Sequence, residues 1–302
     1  MRKIDNHSNS LYRVGYVAIV GRPNVGKSTL MNSLLQQKLA IVSPKPQTTR
    51  HRVLGILNGE DHQIILLDTP GLMHPKYLLQ EAMVKTVQTT MKEADLILMM
   101  VEPTDCDPDD EKLFHSLKAF PVPKFLIINK VDMVSKEKLL PLMDHFRVTG
   151  LFKEIVPISA LKADGLDLLI SLILNVLPQG EPFYPPDIVS DDPERFFVSE
   201  IIREQIFHHY GEEIPYATTV QIEAFEERPG RKDYIQASII VEQNSQKGII
   251  IGKGGQAIKR VGKVARENIE QFIGRPVFLD LQVRMKKKWR KDASMIRKLG
   301  YR

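Results

Sequence analysis

The sequence predicts an α/β chain of two domains: a mostly parallel sheet with helices on both faces, then a smaller α+β domain. Three observations carry this prediction. Apolar β-type runs alternate with helical patterns over residues 12–178, a proline-rich segment follows at 179–194, and alternating strands dominate the pattern after it. We expect the second domain to span 195–285 and a basic extension to occupy 286–302.

The composition is that of an ordinary globular protein with room for two domains. Of 302 residues, 43% are apolar and 26% are charged. No apolar run approaches the ~18 residues that span a membrane, and the N-terminal stretch MRKIDNHSNSLYRVG lacks the apolar core of a secretory signal. The single cysteine, Cys106, excludes an intramolecular disulfide and suits a reducing compartment. We therefore expect a cytoplasmic protein.

The charge is unevenly distributed along the chain. Residues 246–302 contain 16 Lys and Arg against 4 Asp and Glu, a net charge of +12, whereas the whole chain carries +5 and residues 1–245 therefore carry −7. A basic patch of this kind usually faces a polyanion, nucleic acid first and anionic membrane second. The alternative is a solvated tail, but apolar periodicity persists through the region.

Five apolar runs are the expected strands of the first domain: YVAIV (16–20), IILLD (64–68), LILMMV (96–101), FLIIN (125–129) and IVPIS (155–159). Strands that are apolar on both faces are typical of a buried parallel sheet. Segments between them, such as KSTLMNSLLQQ and LLPLMDHF, have apolar residues at helical spacing. The stretch RVLGILNGEDHQIILLD predicts a hairpin turned at Asn58-Gly59.

The segment QGEPFYPPDIVSDDPE (179–194) has no amphipathic period and predicts a linker. The second domain then begins with the helical pattern ERFFVSEIIREQIFHHY and continues with two strands. On one face of these strands we expect Val220, Ile222 and Ala224, and then Ile235, Ala237, Ile239 and Val241. A long helical region ends near Phe272, and VFLDLQVRM is the last strand, so the order is α-β-β-α-α-β.

The stretch GRPNVGKS (21–28) matches G-x-x-x-x-G-K-[ST] directly after a strand and at the start of a helix. In this setting backbone N–H groups close around the β-phosphate, Lys27 gives a charge to the β- and γ-oxygens, and Ser28 offers its hydroxyl to Mg²⁺. The expected nucleotide contacts here are Gly21, Arg22, Pro23, Asn24, Val25, Gly26, Lys27, Ser28 and Thr29.

Three further motifs follow in order along the chain. DTPG (68–71) places Asp68 where a carboxylate holds Mg²⁺, usually through water, and Gly71 where an N–H can reach the γ-phosphate. In NKVD (129–132), Asp132 can accept both N1–H and N2–H₂ of guanine, a donor pair that adenine lacks. SAL (159–161) would brace the base. The expected contacts are Asp68, Thr69, Pro70, Gly71, Asn129, Lys130, Asp132, Ser159, Ala160 and Leu161.

These four motifs, in this order and spacing, resemble the first, third, fourth and fifth sequence boxes of translation-factor-like GTPases. The resemblance makes GTP and GDP, rather than adenine nucleotides, the expected ligands. Between the first two boxes lies SPKPQTTRHR (43–52), in which QTTRH is similar to switch I of the Era GTPase family. There a threonine ligates Mg²⁺ only when GTP is bound. By resemblance the Mg²⁺ set is Ser28, Asp68 and Thr49, with Thr48 as the alternative to Thr49.

The candidate catalytic residues are Lys27, Asn24 and Thr49. Leu72 stands where Ras-like enzymes carry the glutamine that orients the attacking water, a task that a leucine cannot perform. The Era-like group shares this substitution, which implies slow intrinsic hydrolysis and another source of catalytic help. Asn24 matches the position where some relatives help to hold K⁺ near the phosphates. Arg50 is expected to face solvent, with a charge-donating role as the alternative.

A second glycine loop lies in GIIIGKGGQAIKR (248–260), between two expected helices of the second domain. An α-β-β-α-α-β module with G-x-x-G at this place resembles a type II KH domain, which implies that the loop clamps a single-stranded RNA backbone. The candidate RNA contacts are Gly252, Lys253, Gly254, Gly255, Lys259 and Arg260. We expect Ile249, Ile250, Ile251 and Ile258 in the core, and MKKKWRKD (285–292) as a solvated basic face anchored by Trp289.

A P-loop GTPase domain followed by a KH domain resembles the Era GTPase family over about 290 of the 302 residues. The resemblance implies binding to the 3′ end of small-subunit rRNA, action on the 30S-type subunit during its assembly, and peripheral association with the inner membrane in bacteria. A monomer is expected. Two alternatives stay open: a membrane-acting GTPase whose basic end binds anionic lipid, and a GTP-dependent RNA scaffold that does not turn over. A tandem GTPase is excluded because the G-x-x-x-x-G-K-[ST] motif occurs once.

Overall fold

The computed structural model describes residues 12–104, 114 and 116–301, and its first domain is built on a six-stranded sheet. The strands are β1 (Arg13–Gly21), β2 (Val53–Asn58), β3 (His62–Asp68), β4 (Leu96–Val101), β5 (Lys124–Ile128) and β6 (Glu154–Pro157). Their order is β2-β3-β1-β4-β5-β6, parallel throughout except for the antiparallel pair β2 and β3. The predicted strands and the hairpin at Asn58-Gly59 are therefore present.

Helices cover both faces of this sheet. They are α1 (Lys27–Leu35), α2 (Leu78–Glu93), α3 (Lys136–Val148) and α4 (Leu166–Leu174). Because side chains alternate along a strand, Val17 and Ile19 pack in one core cluster with α1 and α4, whereas Ala18 and Val20 pack in another with α2 and α3. This two-sided burial explains why the central strands are apolar at every position.

Residues 179–194 pack along the outer strands of the sheet. Val189 accepts a backbone hydrogen bond from Ile56 of the edge strand β2 at 2.7 Å, and Tyr184 accepts one from the Gln63 side chain at 2.8 Å. The Asp192 carboxylate accepts from the Leu54 N–H at 3.0 Å. The segment thus satisfies polar groups of β2 that an uncovered sheet edge would leave open.

The second domain packs helices on one face of a three-stranded sheet of order β7-β8-β9. Its elements are α5 (Glu194–His209), α6 (Ile214–Ala217), β7 (Thr219–Glu226), β8 (Asp233–Val241), α7 (Asn244–Ile251), α8 (Gln256–Ile273) and β9 (Val277–Met285). β7 and β8 are antiparallel, and β8 and β9 are parallel. The expected element order is present, with the short helix α6 added.

Two details of the predicted core are wrong. The register of β7 against β8 shifts between Ile222 and Ala224, so that Phe225 rather than Ala224 packs against the second core. A bulge of this kind turns every later side chain to the other face of the strand. In α7, Ile250 is buried, but Ile249 is 51% exposed because it lies on the opposite side of the helix.

The basic C-terminal extension is folded against the first domain. Trp289 is fully buried, its indole N–H donates to the Ala217 carbonyl at 2.8 Å, and helix α9 (Ala293–Lys298) follows it. Trp289 shares one hydrophobic cluster with Leu79 and Met83 of α2. Trp289 is thus the anchor that the sequence predicts, while Lys286, Lys287 and Lys288 beside it are exposed.

Across the described part of the chain, no helix has both the length and the apolarity that crossing a membrane requires. Cys106 lies outside the described residues.

Candidate functional site

The phosphate loop connects the end of β1 to the start of α1. Lys27 is buried, and its ammonium donates to the carbonyls of Gly21 at 3.2 Å and Arg22 at 2.8 Å. Gly26 has φ +99°, and a Cβ there would come 2.3 Å from the amide nitrogen of Asn129. Only glycine fits at this position, because the loop must pass beneath the Asn129 side chain.

A cavity at this loop gathers most of the expected phosphate contacts. It is lined by Pro23, Asn24, Gly26, Lys27, Ser28, Thr29, Gly71 and residues 41–43 and 47–49. Burial lowers the pKa of Lys27 to about 8, although the charge of Asp68 opposes that shift. An anionic phosphate in the cavity would supply the counter-charge that a buried ammonium lacks.

Ser28, Thr49 and Asp68 bring three oxygens together beside the cavity. Ser28 Oγ donates to Asp68 Oδ2 at 2.7 Å and lies 2.8 Å from Thr49 Oγ1, which is 3.4 Å from Asp68 Oδ2. Neighbouring ligands of octahedral Mg²⁺ are ~2.9 Å apart, given Mg–O distances of ~2.0–2.1 Å. The Ser28 and Thr49 oxygens therefore fit neighbouring Mg²⁺ ligands, and the Asp68 carboxylate beside them fits a contact to the ion through water.

The electrostatics of Asp68 agree with a cation at this place. Asp68 is fully buried, and its Oδ1 atom has no hydrogen-bond partner. Burial raises the pKa of this carboxyl to about 6, against the opposing effects of Lys27, Ser28 and Thr49. A buried carboxylate with an unpaired oxygen is costly unless a cation compensates it.

The motifs NKVD and SAL meet at the far end of the phosphate loop. Asn129 donates to the Val25 carbonyl at 2.8 Å and accepts from the Ala160 N–H at 2.9 Å, so it ties both loops together. Ser159 donates to Asp132 Oδ1 at 2.7 Å, and this bond is the main reason that the pKa of Asp132 is lowered. The Asp132 carboxylate is thus ionised and partly exposed, as a guanine acceptor must be.

Other predicted residues of this site have structural contacts. Lys130 donates to the Asn24 carbonyl at 2.9 Å and pairs with Glu102. Thr69 donates to the Ile19 carbonyl at 2.8 Å, whereas Leu161 is 81% exposed. A Cβ on Gly71 would come 2.7 Å from Pro23 N, which shows how closely DTPG approaches the phosphate loop.

Asn24 lines the cavity at the phosphate loop, and Leu72 directly follows DTPG. Asn24 has φ +67°, and its side-chain N–H donates to the Pro44 carbonyl at 2.8 Å, which joins the phosphate loop to residues 43–52. The Leu72 side chain packs on the hydrophobic cluster shared with α2 and α3. Its backbone N–H donates to the Gly21 carbonyl at 2.9 Å.

Residues 43–52, the switch I segment, pack against the second domain. Thr48, Thr49 and Arg50 are 8%, 9% and 2% exposed. Both expectations for Arg50, a solvent-facing side chain and a charge donor at the phosphates, are wrong: its guanidinium donates to the carbonyls of Pro215, Tyr216 and Thr218 at 2.7–3.0 Å. The reason is that α6 ends here and presents backbone carbonyls, which favour a cation.

Sequence reasoning missed the residues of α5 that hold switch I from the other side. Arg203 donates to the Thr48 carbonyl, and Glu204 accepts from the N–H of Val42, the residue directly before switch I, at 3.1 Å. Lys45 of switch I donates to the carbonyls at the end of α5. No sequence signal marks these positions, because charged residues on a helix usually indicate an exposed face, whereas Glu200, Arg203 and Glu204 are buried.

The GKGG loop joins α7 to α8 in the second domain. Gly252, Gly254 and Gly255 have φ values of +71°, +58° and +74°, which favour glycine, and a Cβ on Gly252 would come 2.6 Å from the Ala257 Cβ. Lys253 is exposed. A groove of about 760 Å³ begins beside the loop, between α8 and β9, and is lined by Gln256, Ile258, Lys259, Arg260, Gly262, Lys263, Arg266, Leu279 and Leu281.

The groove combines an apolar floor with a basic rim. Ile258, Leu279 and Leu281 are part of or next to the second core, whereas Lys259 and Arg260 are exposed. Such a surface can stack or pack bases and pair with phosphates at the same time. A guanine-type nucleotide site and this groove together define a GTPase with an attached RNA-binding domain.

Comparisons with known proteins agree with this class. Residues 16–130 match the family of 50S ribosome-binding GTPases, and residues 213–290 match the KH domain. GTPase Era of Alkaliphilus metalliredigens is 46% identical over 292 residues, which cover 96% of this chain and 99% of the relative. The chain belongs to the Era family of GTPases.

Two solved structures have the same fold over both domains. An Era variant of Aquifex aeolicus bound to GDP and AlF₄⁻ superposes with a TM-score of 0.93 at 43% identity, with 96% of this chain and 99% of the other covered. The same values hold for Era in complex with Mg-GDPNP and nucleotides 1506–1542 of 16S ribosomal RNA. The chain is therefore a GTP-hydrolysing enzyme with a KH domain.

Proposed function

We propose that this GTPase binds the 3′ end of small-subunit rRNA and acts in assembly of the 30S-type subunit. The observation that carries the proposal is the basic groove beside GKGG, on a chain whose relative of the same fold is bound to 16S rRNA. In the proposed complex Gly252–Gly255 clamp the RNA backbone, while Lys259 and Arg260 pair with phosphates. The apolar floor receives about four nucleotides.

The nucleotide site works through positioning and charge. Lys27 and the backbone N–H groups of Gly21–Thr29, other than Pro23, hold the phosphates, and Thr69, Pro70 and Gly71 close the loop around the terminal one. Asn129, Lys130 and Asp132 hold the guanine with Ser159, Ala160 and Leu161. Ser28, Thr49 and Asp68, the last through water, would hold Mg²⁺, which neutralises charge on the β- and γ-phosphates when bound. Lys27→Ala and Ser28→Ala should each abolish hydrolysis.

Asn24 is the proposed K⁺ contact. Its side-chain nitrogen donates a hydrogen bond to the Pro44 carbonyl. The oxygen of the same amide is of the carbonyl type that replaces water around K⁺. With Leu72 lacking a polar group, a cation at this position is the proposed source of catalytic help beside Lys27 and Thr49.

The RNA proposal is tested by binding and by crosslinking in cells. A labelled RNA with the 3′-terminal sequence of 16S rRNA and a scrambled control are titrated with the protein at several salt concentrations. We expect preference for the 3′-terminal RNA and a salt slope of about 0.7 per neutralised phosphate. Crosslinked RNA should be enriched at the 3′ end of small-subunit rRNA. Equal affinity for both RNAs, or crosslinks spread over many transcripts, would contradict the proposal.

Cytoplasmic location and peripheral contact with the inner membrane are also proposals. The exposed lysines of residues 286–288 are the surface that anionic lipid would meet. Flotation with liposomes that contain phosphatidylglycerol, repeated in the presence of single-stranded RNA, separates the two polyanions. Displacement of the liposomes by RNA indicates one shared surface, and sedimentation velocity tests the proposed monomer.

A further inference from the structure

Thr49 is held between two contacts to the second domain. The carbonyl of Thr48 accepts a hydrogen bond from Arg203 Nη2, and the Arg50 side chain is bonded to the carbonyls that end α6. Thr49 itself turns the other way, toward Ser28 at 2.8 Å. The direction of the Thr49 hydroxyl therefore depends on backbone that the KH domain fixes.

Arg203 is itself rigidly placed. Its side chain is 1% exposed, Nε donates to Glu200 Oε1 at 2.8 Å, and Nη2 donates to Glu200 Oε2. The guanidinium also lies over the Phe207 ring, 5.4 Å from its centroid. Because the guanidinium is planar and is held by these contacts, one of its N–H groups points in a fixed direction at the Thr48 carbonyl. A lysine ammonium has no such fixed geometry.

Stability alone is a poor explanation for this arrangement. Removing two charges from water is costly, and apolar replacements of buried ion pairs are often neutral or stabilising. Arg203 also leaves Nη1 buried without a hydrogen-bond partner. Unlike an apolar pair, Glu200 and Arg203 provide a hydrogen bond from Arg203 to the carbonyl of Thr48, the residue before Thr49.

We propose that Arg203 of the KH domain is a positioning residue for GTP hydrolysis, which holds the Thr48 carbonyl so that the Thr49 hydroxyl faces the Mg²⁺ site. The proposal rests on the proposed role of Thr49 as a Mg²⁺ ligand in the GTP state. It predicts that damage to α5 weakens Mg²⁺ binding with GTP and leaves GDP binding unchanged.

Two variants test the proposal without leaving a lone buried charge. Arg203→Lys keeps the charge beside Glu200 and lacks the fork that reaches Thr48. Glu200→Gln combined with Arg203→Gln removes both charges together. The matched control is Arg195→Lys, the same substitution at an exposed position of the same helix.

The first measurement uses the nucleotide-free protein. Hydrogen exchange over residues 47–51 should be at least tenfold faster in both variants than in wild type. The exchange rates within α5 should be unchanged. The second measurement is the Mg²⁺ concentration that half-saturates binding of GDPNP or GDP. Loss of a group that orients a metal ligand typically costs 10–100-fold. We expect that rise with GDPNP, a similar fall in kcat, and the wild-type Mg²⁺ profile with GDP.

The outcomes separate this inference from the proposed function. Folded variants with wild-type exchange and wild-type Mg²⁺ dependence overturn the role of Arg203. Equal weakening of GDPNP and GDP binding also overturns it, because the residue would then act through general stability. Thr49→Ala is measured in parallel. If it leaves the Mg²⁺ dependence with GDPNP unchanged, the assignment of Thr49 as a Mg²⁺ ligand is wrong and the role of Arg203 falls with it, whereas the RNA proposal is unaffected.

Discussion

Acid should weaken the packing of switch I against the C-terminal extension through His51. The His51 ring stacks on Tyr301 with centroids 4.2 Å apart, and it meets the edge of Phe196 at 5.7 Å. Loss of surrounding water lowers the pKa of His51 to about 4, with repulsion from Arg203 and Arg50 adding to the shift and Glu200 opposing it. The native ring is therefore neutral at pH 5.

The size of the effect follows from the two pKa values. The unfolded histidine titrates near 6.5, so between pH 6.5 and 4 the unfolded chain binds a proton that the native protein does not. Stability is therefore lost as the pH falls through this window. Going from pH 7.5 to 5 costs up to about 2 kcal/mol from this residue. With an unfolding entropy of ~2.1 cal/mol/K per residue, this is about 3 °C in Tm for 302 residues that unfold together.

The substitution His51→Phe keeps an aromatic ring beside Tyr301 and removes the titration. Thermal melting of wild type and variant is compared between pH 5 and 8, with His145→Gln, an exposed histidine of α3, as the control. The Tm difference between wild type and His51→Phe should shift in the variant's favour as the pH falls. The control should follow wild type. Parallel curves for wild type and His51→Phe would show that His51 titrates equally in both states and refute the reasoning.

Three further variants and one salt change test the nucleotide and RNA sites. Asp132→Asn should weaken GDP binding by about 1.5–3 kcal/mol and favour XDP, whereas unchanged GDP affinity by fluorescence titration would contradict the guanine assignment. Leu72→Ala should leave hydrolysis within a few-fold, and a hundredfold loss would reveal a role for the side chain. Hydrolysis should be slower in Na⁺ than in K⁺, and equal rates would remove the K⁺ role of Asn24. Lys253→Asp with Gly254→Asp should abolish RNA binding at unchanged GTP affinity. The Tm should fall only slightly, because a Cβ on Gly254 meets no atom within 4 Å but the new side chain must adopt φ +58°. Wild-type RNA affinity would make the loop an ordinary helix start.

The parts of the fold that the sequence predicts are those set by local pattern. The strand β4 has the predicted bounds because its six apolar residues are buried on both faces. The phosphate loop and its companions are contiguous motifs whose chemistry is fixed by residue type. The face of β7 could not be predicted beyond Ile222, because the bulge there is a property of its pairing with β8. The prediction that Ile249 is in the core was wrong because α7 buries only one side of a run of three isoleucines.

The contacts around Thr49 lie beyond such patterns because their acceptors are backbone atoms. Every residue has a backbone carbonyl, so the sequence does not show which carbonyl accepts a hydrogen bond from an arginine. The partners of Thr48 and of the end of α6 therefore could not be predicted. The spacing of Glu200 and Arg203 in the sequence predicts an ordinary i,i+3 ion pair on a helix surface. It is buried because α5 is covered on one side by its own sheet and on the other by switch I. Because α5 packs on both its own sheet and switch I, the RNA-binding domain directly contacts the segment that carries Thr49. The KH domain is therefore part of the environment in which GTP is hydrolysed.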